Sequence, residues 1–517
     1  MTLRRLLSSG RRAHTCLTSL ATCGGFPRAP PARALRAASP CLPRAFTLSA
    51  CTWRDTDDLG GGAGLHEEDE DDDDVIDDSE VEELFRAHAP AGQQQHRVFV
   101  VHPDVKWGSR KQHLTTAELM MAEAVGLVNA LDGWRVVEQL IMSTKTPEKK
   151  KIFGKGNFQT LTDKIRQTAG VTAVFVNVER LSPPSEREFE EAWGVKVLDR
   201  YSVVLHIFRC NARTREAKLQ VSLAEIPLLR SRIRSEMADL DQQGGGARYI
   251  GGSGETQTEV RQRLLREREM KIRSALETLS RKRRLLSRKR RRKELPTASV
   301  LGYTNCGKTT LIKALTGDGA LQPRDQLFAT LDVTVHAGRL PSHMTILYVD
   351  TIGFLSQLPH RLIDSFSATL EDIKHSDLLI HVRDISHPET ENQKANVLKV
   401  LGAMRVPERL LLSMIEVHNK TDLVPDLPPP GGALAVSALR CRGLEALTAA
   451  VEERILASTG KRSLDLSVDL RSAGLSWLYR EAAVQRVEVD ADAGSAVVTV
   501  IIGAAAYGRY RKLFPGS

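Results

Sequence analysis

Apolar positions first become regular near Gln95. His96-Arg97-Val98-Phe99-Val100-Val101 reads as a strand, and the apolar runs Val171–Val178 and Val203–Phe208 read as two more, with helical spacing between them. The stretch 95–235 is therefore expected to form a small α/β domain. From Thr258 to Lys293 the pattern turns helical and highly charged. Leu265, Ile272, Leu279 and Leu286 recur every seven residues, which predicts a long helix or helical hairpin with one apolar stripe. Gly244-Gly245-Gly246 and Gly251-Gly252-Ser253-Gly254 precede it, and Pro296 ends it. The linker is thus placed at 236–295. Strands and helices then alternate through 296–460, as in a doubly wound, mostly parallel sheet. A short α+β domain, 461–517, is predicted as strand, helix and two strands around Asp490-Ala491-Asp492-Ala493-Gly494. Val497 to Ala506 is too short to span a membrane, which takes about 20 apolar residues, and is read as a strand.

Charge changes the picture at the N-terminus. The net charge is +9 over 517 residues, but residues 1–54 hold nine arginines and no acidic residue. A segment rich in Arg, Ala, Ser and Leu without a compact apolar core has the make-up of a mitochondrial transit peptide, placed at 1–50. The expected location is the mitochondrial matrix. Glu67 to Glu80 is mostly carboxylate, with too little apolar content to fold, so 51–94 is expected to be an acidic linker. Arg281 to Lys293 packs ten basic residues into thirteen, which suits a polyanion and leaves a nuclear or nucleolar address as the alternative. The seven cysteines show no metal-ligand spacing.

The candidate chemistry starts at Gly302-Tyr303-Thr304-Asn305-Cys306-Gly307-Lys308-Thr309. This stretch fits G-x-x-x-x-G-K-[ST] between a strand, Ala298–Leu301, and an apolar helix. Loop amides and the helix N-terminus would converge on phosphate oxygens. Lys308 would bridge the β- and γ-phosphates, and the Thr309 hydroxyl would ligate Mg²⁺. Asp350-Thr351-Ile352-Gly353 follows the strand Thr345–Val349 as a DxxG element. Asp350 would hold the magnesium shell and the Gly353 amide would sense the γ-phosphate. Asn419-Lys420-Thr421-Asp422 follows a predicted strand at Leu410–Val417 and matches N-K-x-D. The Asp422 carboxylate can accept from guanine N1 and N2, whereas adenine offers no such donor pair. Ser437-Ala438-Leu439 supplies the last loop, with an amide for guanine O6. Between the P-loop and DxxG lies Asp325-Gln326-Leu327-Phe328-Ala329-Thr330-Leu331-Asp332. Its Phe328 to Asp332 portion is placed at the nucleotide, with Thr330 completing the magnesium shell and Thr334 as the alternative. Mg²⁺ is the expected cofactor and GTP the substrate, with Lys308, Thr330 and Gly353 as the catalytic set. Phe354 occupies the position where Ras-like proteins carry a water-orienting glutamine, so hydrolysis is expected to be slow without a partner.

Taken with upstream segments, these residues resemble the HflX GTPases, and specifically the mitochondrial branch found in vertebrates. Gly302-Tyr303-Thr304-Asn305, the stretch from Asp325 to Asp332, and Asp350 to Phe354 are similar to that family's signatures. So are Gly154-Lys155-Gly156-Asn157, Asp199-Arg200 and Gly254-Glu255-Thr256-Gln257. The resemblance covers roughly 95–460. It implies an N-terminal HflX domain, a helical linker and a GTPase domain acting on the large ribosomal subunit, in splitting and recycling or in late assembly. It also implies a hydrophobic residue at the place of Phe354. Cys306 stands where the family usually has Ala, and Tyr249-Ile250-Gly251-Gly252-Ser253 replaces a more basic turn. The expected partners are the mitochondrial large subunit with its rRNA and GTP or GDP, without a membrane, for a monomer. Alternatives are a nucleotide-gated RNA-binding assembly factor and a signalling GTPase with a non-ribosomal partner. Arg281-Lys282-Arg283-Arg284 and Arg288 to Lys293 are the candidate phosphate contacts; a solvated helical face is the competing reading. Gly154-Lys155-Gly156-Asn157 suits a turn better than a phosphate site.

Overall fold

The computed structural model describes residues 95–515, apart from 106–114, 145–151, 243–256, 293–294, 356–361, 363–372, 425–431, 471 and 491–493. The transit-peptide and acidic-linker expectations, the glycine-rich loop, Gly254-Glu255-Thr256 and the centre of the 490–494 turn lie outside these residues. So do the side chain of Gln257 and those from 286 to 294, which include Leu286 and Arg288 to Lys293.

The N-terminal sheet has β1 (His96–Asp104), β2 (Trp134–Ser143), β3 (Ala173–Val176) and β4 (Lys196–Leu198) in the order β2-β1-β3-β4. All its pairings are parallel, Val98 lying opposite both Val136 and Ala173. Parallel strands must be covered on both faces. One face packs on α2 (Lys155–Gln167) and α3 (Pro183–Trp193) through Leu161, Ile165, Phe189 and Trp193. The other packs on α1 (Ala117–Asn129) and α4 (Arg200–Asn211).

Helix α4 corrects an expectation. Val203–Phe208, predicted as a strand, is helical, because Asp199 accepts a hydrogen bond from the Ser202 amide (2.8 Å) and caps the segment at its start. Val203, Val204, Ile207 and Phe208 are all buried, and a short continuous apolar run looks the same in a buried helix as in a buried strand. Leu410–Val417 is likewise split. Pro407 starts a short helix, α9 (Glu408–Leu412), and the strand β9 covers Ile415–Asn419.

Of the two forms expected for Thr258 to Lys293 the long helix is observed, as α6 (Gln257–Arg292), and it pairs with a second helix, α5 (Arg215–Gln242). Helix α5 runs unbroken through residue 235, where the domain boundary was expected. Leu219 and Ile226 of α5 meet Ile272, Ala275 and Leu276 of α6, with Leu223 and Leu279 alongside, so Ile272 and Leu279 of the sevenfold stripe lie in the seam. Burying it stabilises two helices whose charged remainder would not hold together alone.

The six-stranded sheet carries β5 (Thr297–Gly302), β6 (Thr334–Arg339), β7 (Thr345–Asp350), β8 (Leu378–Asp384), β9 and β10 (Leu434–Ala435) in the order β10-β9-β8-β5-β7-β6. Only β6 is antiparallel to its neighbour. Helices α7 (Lys308–Thr316), α8 (Thr390–Ala403) and α10 (Leu444–Thr459) cover it. The expected doubly wound α/β class is therefore observed. The C-terminal sheet joins β11 (Arg462–Asp469), β12 (Ala483–Asp490) and β13 (Ser495–Ile502) in antiparallel order β11-β13-β12, with α11 (Gly474–Glu481) after β11. The run Val497 to Ala506 is strand only to Ile502. Gly503 then starts α12 (Ala504–Leu513), whose Tyr510 fills this small core. Among the described residues no helix is long and apolar enough to cross a membrane.

Candidate functional site: a phosphate loop, two switch elements and a base loop

Strand β5 delivers the chain into the loop 302–309, and α7 begins at Lys308. The turn requires glycine at 307. Its φ is +89°, and a Cβ there would lie 2.4 Å from Asn419 Nδ2. The buried Lys308 ammonium donates to the carbonyls of Tyr303 (2.9 Å) and Gly302 (3.4 Å), which hold it across the loop mouth. Thr304, Asn305, Gly307, Lys308, Thr309, Gln326, Thr330 and Gly353 line one cleft with Arg324 and Phe328. Loop amides, an ammonium and a helix N-terminus in one cleft can take up a polyphosphate.

Three oxygens converge beside it. Thr309 Oγ1 donates to Asp350 Oδ2 at 2.6 Å, Thr330 Oγ1 lies 3.0 Å from Thr309 Oγ1, and Thr330 Oγ1 donates to Asp350 Oδ2 at 3.3 Å. Asp350 is 1% exposed, and its Oδ1 has no hydrogen-bond partner. Burial pushes the Asp350 carboxyl above its usual range, against the opposing Thr309 hydrogen bond. A buried, under-coordinated carboxylate flanked by two hydroxyls fits a hard divalent cation such as Mg²⁺.

Gly353 sits where a Cβ would come within 2.9 Å of Thr304 and 3.0 Å of Lys308 Nζ, so only a bare backbone reaches the phosphate cleft there. Phe354 turns the other way. Its amide donates to the Gly302 carbonyl (3.0 Å), and its carbonyl accepts from the Thr304 amide (2.7 Å). The ring is buried against Leu301, Ile373 and Leu379. Thr351 Oγ1 donates to the Val300 carbonyl (2.7 Å), and Ile352 packs in the N-terminal core.

At the base end, Asn419 Nδ2 donates to the Cys306 carbonyl (2.9 Å), and its Oδ1 accepts from the Ala438 amide (3.0 Å). One buried side chain thus ties the phosphate loop, the N-K-x-D loop and the last loop together. Ser437 Oγ donates to Asp422 Oδ1 (2.5 Å), which holds the Asp422 carboxyl below its usual range while the residue stays exposed to a base. Lys420 pairs with Asp384 at 2.6 Å, Thr421 Oγ1 donates to the Val436 carbonyl (2.9 Å), and Leu439 is exposed. Cys306 is buried and does not line the phosphate cleft, and burial pushes its thiol pKa up.

The segment from Asp325 to Asp332 divides in two. Ala329 and Thr330 face the cleft, whereas Leu331 and Asp332 do not line it. Leu331 is buried in the N-terminal core, and Phe328 stacks edge-on against Phe208 of α4 at 4.9 Å between ring centroids. Asp332 accepts from Thr214 Oγ1 (2.6 Å) and from the Arg213 amide (3.1 Å), at the start of α5. Asp325 Oδ1 accepts from Asn305 Nδ2 (2.8 Å). The alternative Thr334 bonds His336 Nε2 at 2.9 Å.

Sequence reasoning missed the partners in the N-terminal domain. Glu123 of α1 accepts from the Tyr303 hydroxyl of the phosphate loop and from Arg200. Arg200 is fully buried and also donates to Asn177 Oδ1 (3.1 Å), whose Nδ2 lies 3.1 Å from His102 Nδ1. The Asp199-Arg200 pair is thus a helix cap followed by a buried ion pair. Gly154 precedes the first turn of α2, where Asn157 Nδ2 donates to the Ser143 carbonyl (2.8 Å). Thr214-Arg215-Glu216 does carry a helix-start signature, but nothing in it names Asp332 as partner.

A phosphate loop, a cation-ready oxygen cluster and a guanine-suited carboxylate on one doubly wound sheet define a P-loop GTPase. Three family models match in succession: "GTP-binding GTPase N-terminal" over 118–209, "GTP-binding GTPase Middle Region" over 211–291 and "50S ribosome-binding GTPase" over 297–420. GTPase HflX of Magnetococcus marinus is 37% identical over 355 residues, covering 67% of this chain and 80% of its own. GTP-binding protein 6 of Xenopus laevis is 63% identical over 441 residues, covering 84% of each chain. The Homo sapiens protein of that name is 57% identical over 496 residues, covering 93% of this chain and 95% of its own. The chain belongs to the HflX family of GTPases, and it hydrolyses GTP.

Proposed function

We propose that this GTPase is Mg²⁺-dependent, works in the mitochondrial matrix on the large ribosomal subunit, and couples its GTP switch to subunit splitting and recycling or to late assembly. In this reading Lys308 and the loop amides bind the phosphates, and Thr309, Thr330 and Asp350 hold the cation. Asp422 reads guanine, and an amide of the Ser437-Ala438-Leu439 loop meets its O6. The cation, when bound, supplies positive charge against the β- and γ-phosphate oxygens.

The observation that carries partner activation is the fixed orientation of Phe354. Its backbone is tied to the phosphate loop at both ends and its ring is buried, so no side chain from this position can orient the attacking water. A surface supplied by a partner would complete the site. The nature of that partner is supported by α6, where Arg281, Lys282 and Arg284 are exposed. Arg283 pairs with Glu216 of α5 at 2.9 Å, close in sequence to the Thr214 that holds Asp332. A polyanion engaging this run would press on a helix joined directly to the switch segment. Such contacts are backbone-directed and salt-sensitive.

The test is GTP hydrolysis by protein lacking residues 1–50, with and without isolated mitochondrial large subunits, followed by gradient sedimentation in the presence of a non-hydrolysable GTP analogue. Stimulation together with co-sedimentation is expected. Equal rates with and without subunits would sink partner activation. Failure to co-migrate would favour a non-ribosomal partner.

A further inference from the structure

Phe328 is bulky and buried, yet its backbone is left-handed, with φ +57°. For a side chain with a Cβ that conformation costs about 1–2 kcal/mol, so the surroundings must fix it. The fixing groups belong to the N-terminal domain and the helix that follows it. Asn211 Nδ2, at the end of α4, donates to the Phe328 carbonyl (2.9 Å), and Phe208 supplies the ring contact. Slightly further along the chain, Thr214 caps α5. Its Oγ1 accepts from the Ala217 amide (3.2 Å) and donates to Asp332 Oδ1 (2.6 Å). Asp332 Oδ2 takes the Arg213 and Thr214 amides at 3.1 and 3.4 Å. A carboxylate at this end of a 28-residue helix also meets its positive pole. Thr330 lies between the two clamped residues, with its hydroxyl 3.3 Å from Asp350 Oδ2.

We infer that Asn211 and Thr214 are positioning residues for Thr330, and that retention of the nucleotide-bound cation is therefore set by the α4–α5 corner outside the GTPase domain. The arrangement explains why Leu331 and Asp332 turn away from the nucleotide: they are the grip, and Thr330 is what the grip presents. Glu123, bonded to the Tyr303 hydroxyl, ties the same domain to the phosphate loop. The clamp therefore holds Thr330 relative to the loop it must complete. The inference rests on the cation-binding reading proposed above.

The test follows release of a fluorescent non-hydrolysable GTP analogue from the full chain, in Mg²⁺ and in EDTA. Asn211→Ala combined with Thr214→Val removes the side-chain clamp while leaving every cleft-lining residue in place. Two hydrogen bonds, one to a carboxylate, predict release about tenfold faster in Mg²⁺. The rate in EDTA should match the unaltered chain, because Thr330 matters only through the cation. Thr214→Ser, which keeps the hydroxyl, should behave as the parent. An unchanged rate in Mg²⁺, or equal acceleration in EDTA, overturns the inference. If the unaltered chain itself releases the analogue equally fast in Mg²⁺ and EDTA, the cation-binding reading is what has failed. A second readout needs no variant. Amide hydrogen exchange of nucleotide-free protein should show the Arg213 and Thr214 amides, which donate to Asp332 Oδ2, protected; free exchange there also overturns the inference.

Discussion

The two ends of the nucleotide site are built differently. The base end is self-contained, since Asn419, Asp422, Ser437 and Ala438 bond one another and the Cys306 carbonyl, all within the six-stranded domain. The phosphate and switch end borrows its supports. Tyr303 leans on Glu123, Phe328 on Asn211 and Phe208, and Asp332 on Thr214. A site made this way can keep base recognition constant while phosphate sensing answers to whatever moves the N-terminal domain and its helices. In linkage terms, only an element with two arrangements that differ in affinity can transmit a signal, and only the phosphate and switch end is bonded to groups outside the six-stranded domain through which one could act.

The largest expected effect lies at the base end. In Asp422→Asn the guanine N1–H and N2–H donors lose a common acceptor, and affinity for GTP should fall by at least about a thousandfold. Xanthosine triphosphate, with an acceptor in place of the 2-amino group, should gain affinity because the introduced side-chain amide can donate to it. Competition against a fluorescent nucleotide measures both. If this end is independent, adding Thr214→Val should leave the discrimination ratio unchanged to within about 0.5 kcal/mol. A ratio that moves further would break the contrast between the ends.

The same contrast explains what was legible in the sequence. Gly302 to Thr309, Asp350 to Gly353 and Asn419 to Asp422 could be found because each motif carries its own local geometry: strand, turn and the atoms that meet the ligand. The doubly wound order followed from the alternation of apolar runs. The sequence puts Leu331 and Asp332 at the nucleotide beside Thr330, but their outward direction depends on Thr214 and the N-terminal core, far away along the chain. Val203–Phe208 failed as a strand for a related reason, since burial on all sides erases the periodicity that separates helix from strand. Glu123 is one acidic residue on a helix, with no local mark of its partners.

At the borrowed end the largest stability change is expected from Glu123→Ala. It leaves the Arg200 guanidinium, 0% exposed, without its carboxylate, which costs about 3–5 kcal/mol for a buried pair broken on one side. Urea unfolding should register this as a lower midpoint with the slope unchanged. Restoration by the double variant Glu123→Ala with Arg200→Met would assign the loss to the broken ion pair.

Acid should act next. His206, on α4 within the N-terminal domain, and His381, on β8 of the GTPase sheet, are both driven down to about 4, chiefly by burial. In the unfolded chain each returns toward about 6.5, so between those values the unfolded state holds more protons. Stability is complete above about pH 6.5 and declines as the pH falls toward about 4. The decline is about 2 kcal/mol per histidine at about pH 5. Unfolding midpoints at about pH 7.5 and 5.0 measure the slope, and His206→Gln with His381→Gln should flatten it. Because Phe208, Phe328, Ile352 and Leu355 share one core, the loss should appear in a single transition. Two resolved transitions would show the switch end to be less firmly joined than the structure indicates.

The smallest effect isolates the link itself. Tyr303→Phe deletes one hydroxyl, leaving the ring packed in the shared core and the backbone carbonyl of this residue still accepting from Lys308. The Arg200–Glu123 pair remains intact, so little stability should be lost, about 1 kcal/mol. The phosphate loop then loses its hydrogen bond to Glu123 of the N-terminal domain while keeping the ring's packing. GDP release should quicken by about threefold to fivefold with and without Mg²⁺, since the loop contacts phosphate whether or not the cation is bound. That response differs in kind from loss of the Thr214 clamp, which is expected only in Mg²⁺. If Tyr303→Phe were also silent in EDTA, the Glu123 contact would serve the cation shell alone, and the two supports would be one device rather than two.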